Sequence, residues 1–143
     1  MVVVDSIKKG IVIDHITAGR GMKLLEYLDV DTAHDTVAII ANAVSHKLGK
    51  KDIIKIENKV NVDMDVIGLI EPHATVNVIE DHVIVRKVKP TLPSRVENVI
   101  RCRNPRCVTA TERGIVHTFV LTDEENQEYR CIFCDEIVSM KAE

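Results

Sequence analysis

Tryptophan is absent from this 143-residue chain, and aromatic residues reach only 3%. Three of the four aromatics, Phe119, Tyr129 and Phe133, fall after residue 100. The first hundred residues therefore lack the stacking platform on which single-stranded RNA or DNA is bound. A basic excess is missing too: the formal net charge is −3, which argues against a dedicated nucleic-acid binder. No apolar run approaches the ~20 residues of a membrane span. Nothing reads as a signal peptide, so the expected setting is a reducing one, the cytoplasm. No repeat or low-complexity segment stands out. No G-x-G-x-x-G or P-loop is complete, and no nucleophile has a suitable base, so catalysis by this chain is not expected. Asp14 and His15 are adjacent and could be cast as an acid–base pair, but neighbouring strand residues normally point to opposite faces.

What the chain does have is a 45% hydrophobic content, enough for one ordinary domain or two small ones. It also has four cysteines in two close pairs: Cys102-x4-Cys107, 23 intervening residues, then Cys131-x2-Cys134. Each pair can present two thiolates from one tight turn, and a hairpin between them would close the turns into a tetrahedral Zn²⁺ site. Two disulfides or four inert buried thiols are the alternatives. A reducing compartment disfavours the disulfides. Four protein ligands would leave no open position, so the zinc is expected to be structural, one ion per chain. The core around it is thin, and metal binding on the order of 10–16 kcal/mol would decide whether this region folds.

Along the chain, VVVDSI reads as an edge strand or arm, Gly10 as a turn and residues 11–16 as a central strand. Thr17 is a plausible N-cap for a helix AGRGMKLLEYL whose inner face would carry Ala18, Met22, Leu25 and Leu28. Gly19 and Gly21 allow either close packing or, more weakly, a phosphate cradle. DTVAIIANAVS and DIIKIENKV read as a hairpin with a turn at LGKKD; Ile54 and Ile56 would point one way, Lys55 and Glu57 the other. VDMDVIGLIEP reads as a short helix capped by Asp63, with Met64, Ile67 and Ile70 toward the sheet. TVNVI and HVIVRKV form another hairpin turning near Asp81, with Lys87 beside buried Val83 and Val85, its stem lying over apolar surface. The order strand, helix, two strands, helix, two strands implies an α+β sandwich: an antiparallel or mixed sheet with both helices on one face. The stiff KPTLPSR places a boundary near Pro93, dividing residues 1–93 from a small all-β zinc domain, 94–143. Between Arg101 and Glu143 there are six Lys/Arg and eight Asp/Glu. Arg101, Arg103, Arg106 and Arg130 flank the cysteines; they either offset the charge of a Zn(Cys)₄ centre or form a partner surface. The acidic balance favours a protein partner over the alternative, a zinc-ribbon nucleic-acid or transcription-type module.

The segments KKGIVIDHITAGRGMKLL, GKKDIIKIEN, ATVNVI with the hairpin through RKVKPTLPSRVENVI, and the cysteine pattern together resemble one family, the regulatory chain of aspartate carbamoyltransferase. The resemblance spans nearly the whole chain in order. It implies a non-catalytic subunit in pyrimidine biosynthesis, with an N-terminal domain that binds CTP and ATP, and UTP in some members. It also implies pairing of regulatory chains and a zinc domain docked on a separate catalytic chain, in an assembly of six regulatory and six catalytic chains. Asp14, His15, Lys55 and Lys87 match positions that line the family's nucleotide pocket: Lys87 and His15 near the phosphates, Lys55 and Asp14 near ribose and base. Val4, Asp5, Ile7, Val12, Asn77, Ile79, His82 and Ile84 match further pocket positions. His82 stands where some members carry an aromatic residue. The arm before Val4 is only three residues long, shorter than in some relatives. Asn104 keeps the family's polar character between the first two cysteines, whereas Arg103 and Arg106 need not make the family's docking contacts.

Overall fold

The structure is a computed structural model, and it describes residues 8–28, 30, 34–45, 49–58 and 62–141. The chain forms two compact units, residues 1–91 and 92–143. No helix among the described residues is long and apolar enough to cross a membrane.

The first unit is a five-stranded sheet with two helices. In chain order it runs β1 (Gly10–Thr17), α1 (Gly21–Tyr27), β2 (Thr36–Ser45), β3 (Gly49–Glu57), α2 (Met64–Ile70), β4 (Thr75–Glu80) and β5 (Val83–Val88). The strand order is β2-β3-β1-β4-β5, and every pairing is antiparallel. Gly10 opens β1 instead of forming a turn, and β3 begins at Gly49, inside the expected LGKKD turn. Residues 46–48 and the expected strand or arm at 2–7 lie outside the described residues.

Register separates the two faces. Directly paired residues of an antiparallel sheet share a face. One set of rows runs Val37–Ile56–Ile11–Val78 and Ile39–Ile54–Ile13–Val76 across four strands. On the three inner strands these residues are buried; α1 packs on β3 and β2 and against α2, and Leu24, Leu28, Ile67, Leu69 and Ile70 of this helical layer are buried too. The other set, Ala38–Lys55–Val12–Asn77–Lys87 and Thr36–Glu57–Gly10–Ile79–Ile84, forms the opposite face.

Three irregularities alter the alternation that sequence periodicity predicts in this sheet. In β2, Ile40 pairs with Ile53 but Ala43 pairs with Lys51, so Ala41 and Asn42 together oppose one residue, a bulge. In β1, Ile13 pairs with Ile54 but Ile16 pairs with Asp52, so Asp14 and His15 together oppose one residue. His15 takes φ 62°. This β-bulge returns Ile16 to the core beside Ile13, both 0% exposed. The opposite-face expectation for Asp14 and His15 therefore does not hold. In β5 the pairing shifts between Val78 and Ile79, leaving Val85 as the extra residue. Lys87 thus shares its face with Ile84, not with Val83 and Val85. Those valines are 60% and 54% exposed, so the expected stem over buried apolar surface is not formed.

Helix α1 starts later than expected, and its inner face is Gly21, Leu24 and Leu28; Met22 is exposed. Thr17 does not cap it. Its hydroxyl donates to Glu71 Oε2 instead, and Arg20 holds the N-cap position without a side-chain cap. The cause lies on β3. The Asp52 carboxylate accepts the amides of Gly19 and Gly21, which fixes where the first helical turn begins. A phosphate cradle at these glycines is excluded because the carboxylate already takes their N–H groups. Helix α2 follows expectation: Asp63 accepts from the amides of Asp65 and Val66, and Ile67 and Ile70 are buried.

The second unit is a four-stranded antiparallel sheet in the order β6 (Arg95–Glu97), β7 (Thr118–Asp123), β8 (Glu128–Cys131), β9 (Ile137–Ser139). Its small core is Val96, Ile100, Phe119, Tyr129 and Met140. A four-residue helical turn, α3 (Val108–Thr111), follows Cys107. The expected strand at GIVHTFVLT begins only at Thr118.

Candidate functional site

The metal centre is assembled by two turns at one end of the second sheet. Cys102 and Cys107 come from the turn before α3; Cys131 ends β8 and Cys134 closes the turn after it. Among the described residues this is the group of side chains able to hold a metal: the four sulfurs lie within 4.8 Å of one another. Contacts cross between the turns, Cys102 to Cys134 at 3.4 Å and Cys107 to Cys131 at 3.8 Å. Tetrahedral Zn–S bonds of about 2.3 Å would set sulfurs about 3.8 Å apart. A disulfide needs about 2.05 Å, and all four cysteines are free. The donor set and spacing thus fit one structural Zn²⁺ per chain and do not fit the disulfide alternative.

The thiols are electrostatically unequal. The Thr109 hydroxyl donates to Cys107 Sγ at 3.1 Å. With the Thr109 amide it holds the Cys107 thiol down to about 7, because both stabilise the thiolate. Burial pushes Cys102 up to about 12 and raises Cys131. Four crowded thiols cannot all ionise unaided, and a dication supplies the missing charge. Neither Thr109 nor its role was foreseen from the sequence.

Around the centre, Arg130 pairs with Asp135 at 2.6 Å. Asn104 Oδ1 accepts the Arg106 amide and braces the first turn. Arg101, Arg103 and Arg106 are exposed.

The second candidate site is the helix-free face of the first unit. Lys55, Val12, Asn77 and Lys87 form one row across β3, β1, β4 and β5, and Ile79 and Ile84 lie in the next row. Asp14 sits at the bulge, accepting the His15 amide at 2.7 Å and pairing with Lys51 at 3.0 Å. Two polar atoms here are buried with no hydrogen-bond partner among the described residues: Asn77 Oδ1 and His15 Nδ1. Orphaned buried groups are costly to leave unmade. His82 forms part of the β4–β5 turn with Asp81, both at positive φ. Val4, Asp5 and Ile7 lie outside the described residues. Lys51 was missed from the sequence, although its spacing of four from Lys55 puts it on the same face of β3.

The family model described as aspartate carbamoyltransferase regulatory chain, allosteric domain, matches residues 2–91. The one described as its metal binding domain matches residues 94–142. Aspartate carbamoyltransferase regulatory chains similar to this one include that of Clostridium botulinum, 55% identical over 97% of this chain and 95% of the relative. That of Clostridium tetani is 51% identical over the full length of both. That of Bifidobacterium longum is 50% identical over 93% of this chain and 96% of the relative.

Proposed function

The chain belongs to the family of aspartate carbamoyltransferase regulatory chains, and from that premise we propose that its first unit binds the nucleotides CTP and ATP on the helix-free face of the sheet. The chain is a regulatory, non-catalytic subunit with an allosteric domain and a metal-binding domain; the zinc-ribbon nucleic-acid reading gives way to it.

One observation carries the nucleotide reading. The row Lys55–Val12–Asn77–Lys87 places a cation at each end and an unpaired buried Asn77 Oδ1 between them. The row spans three strand spacings, roughly 14 Å, a length suited to a nucleotide laid across the strands. Ribose and base would lie toward Lys55 and Asp14, and phosphates toward Lys87 and His15. Val12, Ile79 and Ile84 supply apolar surface, and His82 the rim. Val4, Asp5 and Ile7 lie outside the described residues and are assigned to the site by the family resemblance alone. Lys51 adds a further cation, held by Asp14. Triphosphates need such point charges, and UTP satisfies the same phosphate chemistry.

The docking partner of the 92–143 unit is the catalytic chain of aspartate carbamoyltransferase. The proposed self-partner is a second regulatory chain: β2 is a ten-residue edge strand without a charged residue, which unpaired would be an aggregation hazard. A nucleotide can then alter catalysis only by binding one state of the assembly better than another. By linkage, a substrate analogue on the catalytic chain must change nucleotide affinity by the same factor. The test is calorimetric titration of the assembled enzyme with CTP and ATP, with and without that analogue. Unchanged affinities, together with unchanged catalytic rate and substrate affinity, would reduce the chain to a scaffold.

A further inference from the structure

Glu71 is a buried carboxylate shared between two helices, 2% exposed. Its Oε1 pairs with Arg20 Nε at 2.9 Å, and its Oε2 accepts the Thr17 hydroxyl at 3.1 Å. Glu71 is the C-cap residue of α2, and Arg20 is the N-cap residue of α1. Arg20 Nη2 also donates to the Ile70 carbonyl at 3.2 Å. That carbonyl is one of those that the end of a helix leaves without an intrahelical partner. The start of α1 and the end of α2 are thus clamped together. Stability alone does not account for the clamp. A buried ion pair gains little over an apolar pair of similar volume, and its best-attested use is to fix one geometry.

The clamp holds together two places of different use. Thr17 ends β1, two residues beyond the bulge at Asp14–His15. Three residues before Glu71, Gly68 brings the backbone of α2 against Thr91, because a Cβ at Gly68 would run into the Thr91 carbonyl. Thr91 is the last residue of the first unit. Within the second unit, the Pro93 carbonyl accepts the Tyr129 hydroxyl at 2.6 Å. A single residue, Leu92, therefore separates an anchor in one unit from an anchor in the other. We infer that Glu71 is a positioning residue: it ties the β1 bulge to α2 and, through Gly68, to the start of the linker, so that nucleotide bound at the bulge acts on Leu92. This rests on the nucleotide reading of the helix-free face and adds the route from that site to the linker. A nucleotide that shifts Asp14 and His15 shifts Thr17 and Arg20, and both are bonded to Glu71. Close-packed interiors transmit such a displacement instead of absorbing it.

The test uses the regulatory chain assembled with its catalytic chain. CTP is titrated by calorimetry with and without a substrate analogue, and the ratio of the two affinities is the coupling factor. Thr17→Val keeps the branched shape and the Arg20–Glu71 pair but removes the hydroxyl. Its coupling factor should fall toward unity by roughly 2-fold or more. CTP affinity without the analogue, and the basal catalytic rate, should stay at wild-type values. Glu71→Gln also breaks the ion pair and should lose at least as much coupling; if it does not fold, Thr17→Val alone decides. Asp63→Ala controls for simple loosening of α2. It removes the cap at the other end of that helix, so Tm should drop while the coupling factor stays at the wild-type value. Three outcomes overturn the inference: full coupling in Thr17→Val; a fall in its analogue-free CTP affinity, which makes the clamp a support of the nucleotide pocket; or an equal loss of coupling in Asp63→Ala, which makes helix stability the cause. A wild type that binds CTP with a coupling factor of unity would sink the allosteric reading as well, and is thereby distinct from failure of this inference alone.

Discussion

The carboxylate of Asp52 accepts the amide of Gly21 at 2.9 Å, joining β3 to the first turn of a helix 31 residues earlier. Asp52 is 2% exposed, and it also accepts the amides of Gly19 at 3.1 Å and Asn42 at 2.8 Å. Three segments, the β1–α1 turn, α1 and the bulge of β2, are thus tied to one side chain. A Cβ at Gly21 would meet Asp52 Oδ2 at 2.9 Å, so a larger residue here would displace the carboxylate that holds this turn.

Asp52→Ala would leave those three amides without their acceptor. A buried donor left unmade costs ~1–3 kcal/mol, so destabilisation of roughly 3 kcal/mol or more is expected. Thermal unfolding followed by circular dichroism measures it. An unchanged Tm would mean water replaces the carboxylate.

Lys87→Ala should weaken CTP and ATP binding about tenfold or more, from the loss of a charge-assisted contact of roughly 1.5–3 kcal/mol. Its exposure means the fold should tolerate the change. Calorimetry on the assembled enzyme reads the affinity. Wild-type affinity in the variant would remove Lys87 from the site.

Thr109→Val should loosen the metal. The lost hydroxyl donor no longer stabilises the Cys107 thiolate, so that thiol's pKa rises from about 7 toward its ordinary value. Protons then compete with the metal at higher pH, and the pH at which half the zinc is released should move upward. Outer partners of metal ligands are typically worth about 10–100-fold in affinity. Zinc transfer to a colorimetric chelator across a pH series checks both the shift and its sign; a midpoint that moves down contradicts the assignment.

Gly68→Ala sets helix propensity against packing. Alanine favours a helix by about 1 kcal/mol over glycine. Here its Cβ would run into the backbone carbonyl of Thr91, where the chain leaves the first unit. Overpacking against backbone costs about 1–3 kcal/mol, so net destabilisation is expected. A raised Tm would show that residues 90–91 move aside freely.

Local pattern carried much of this protein. Alternating β-branched residues marked the strands from Gly10 to Val88, Asp63 announced the start of α2, and the cysteine spacing announced the metal centre, because each signal lies within a few residues of what it specifies. The nucleotide-site candidates came from resemblance, not from pattern. Tertiary structure alone decided the bulge at Asp14–His15, the phase of α1 and the Lys51–Asp14 pair. The physical reason is common to them. A bulge is stable only against a particular partner strand, and α1 takes its starting point from a carboxylate on β3. These interactions exist only when distant segments meet, so no window along the chain contains both halves of the energy that selects them.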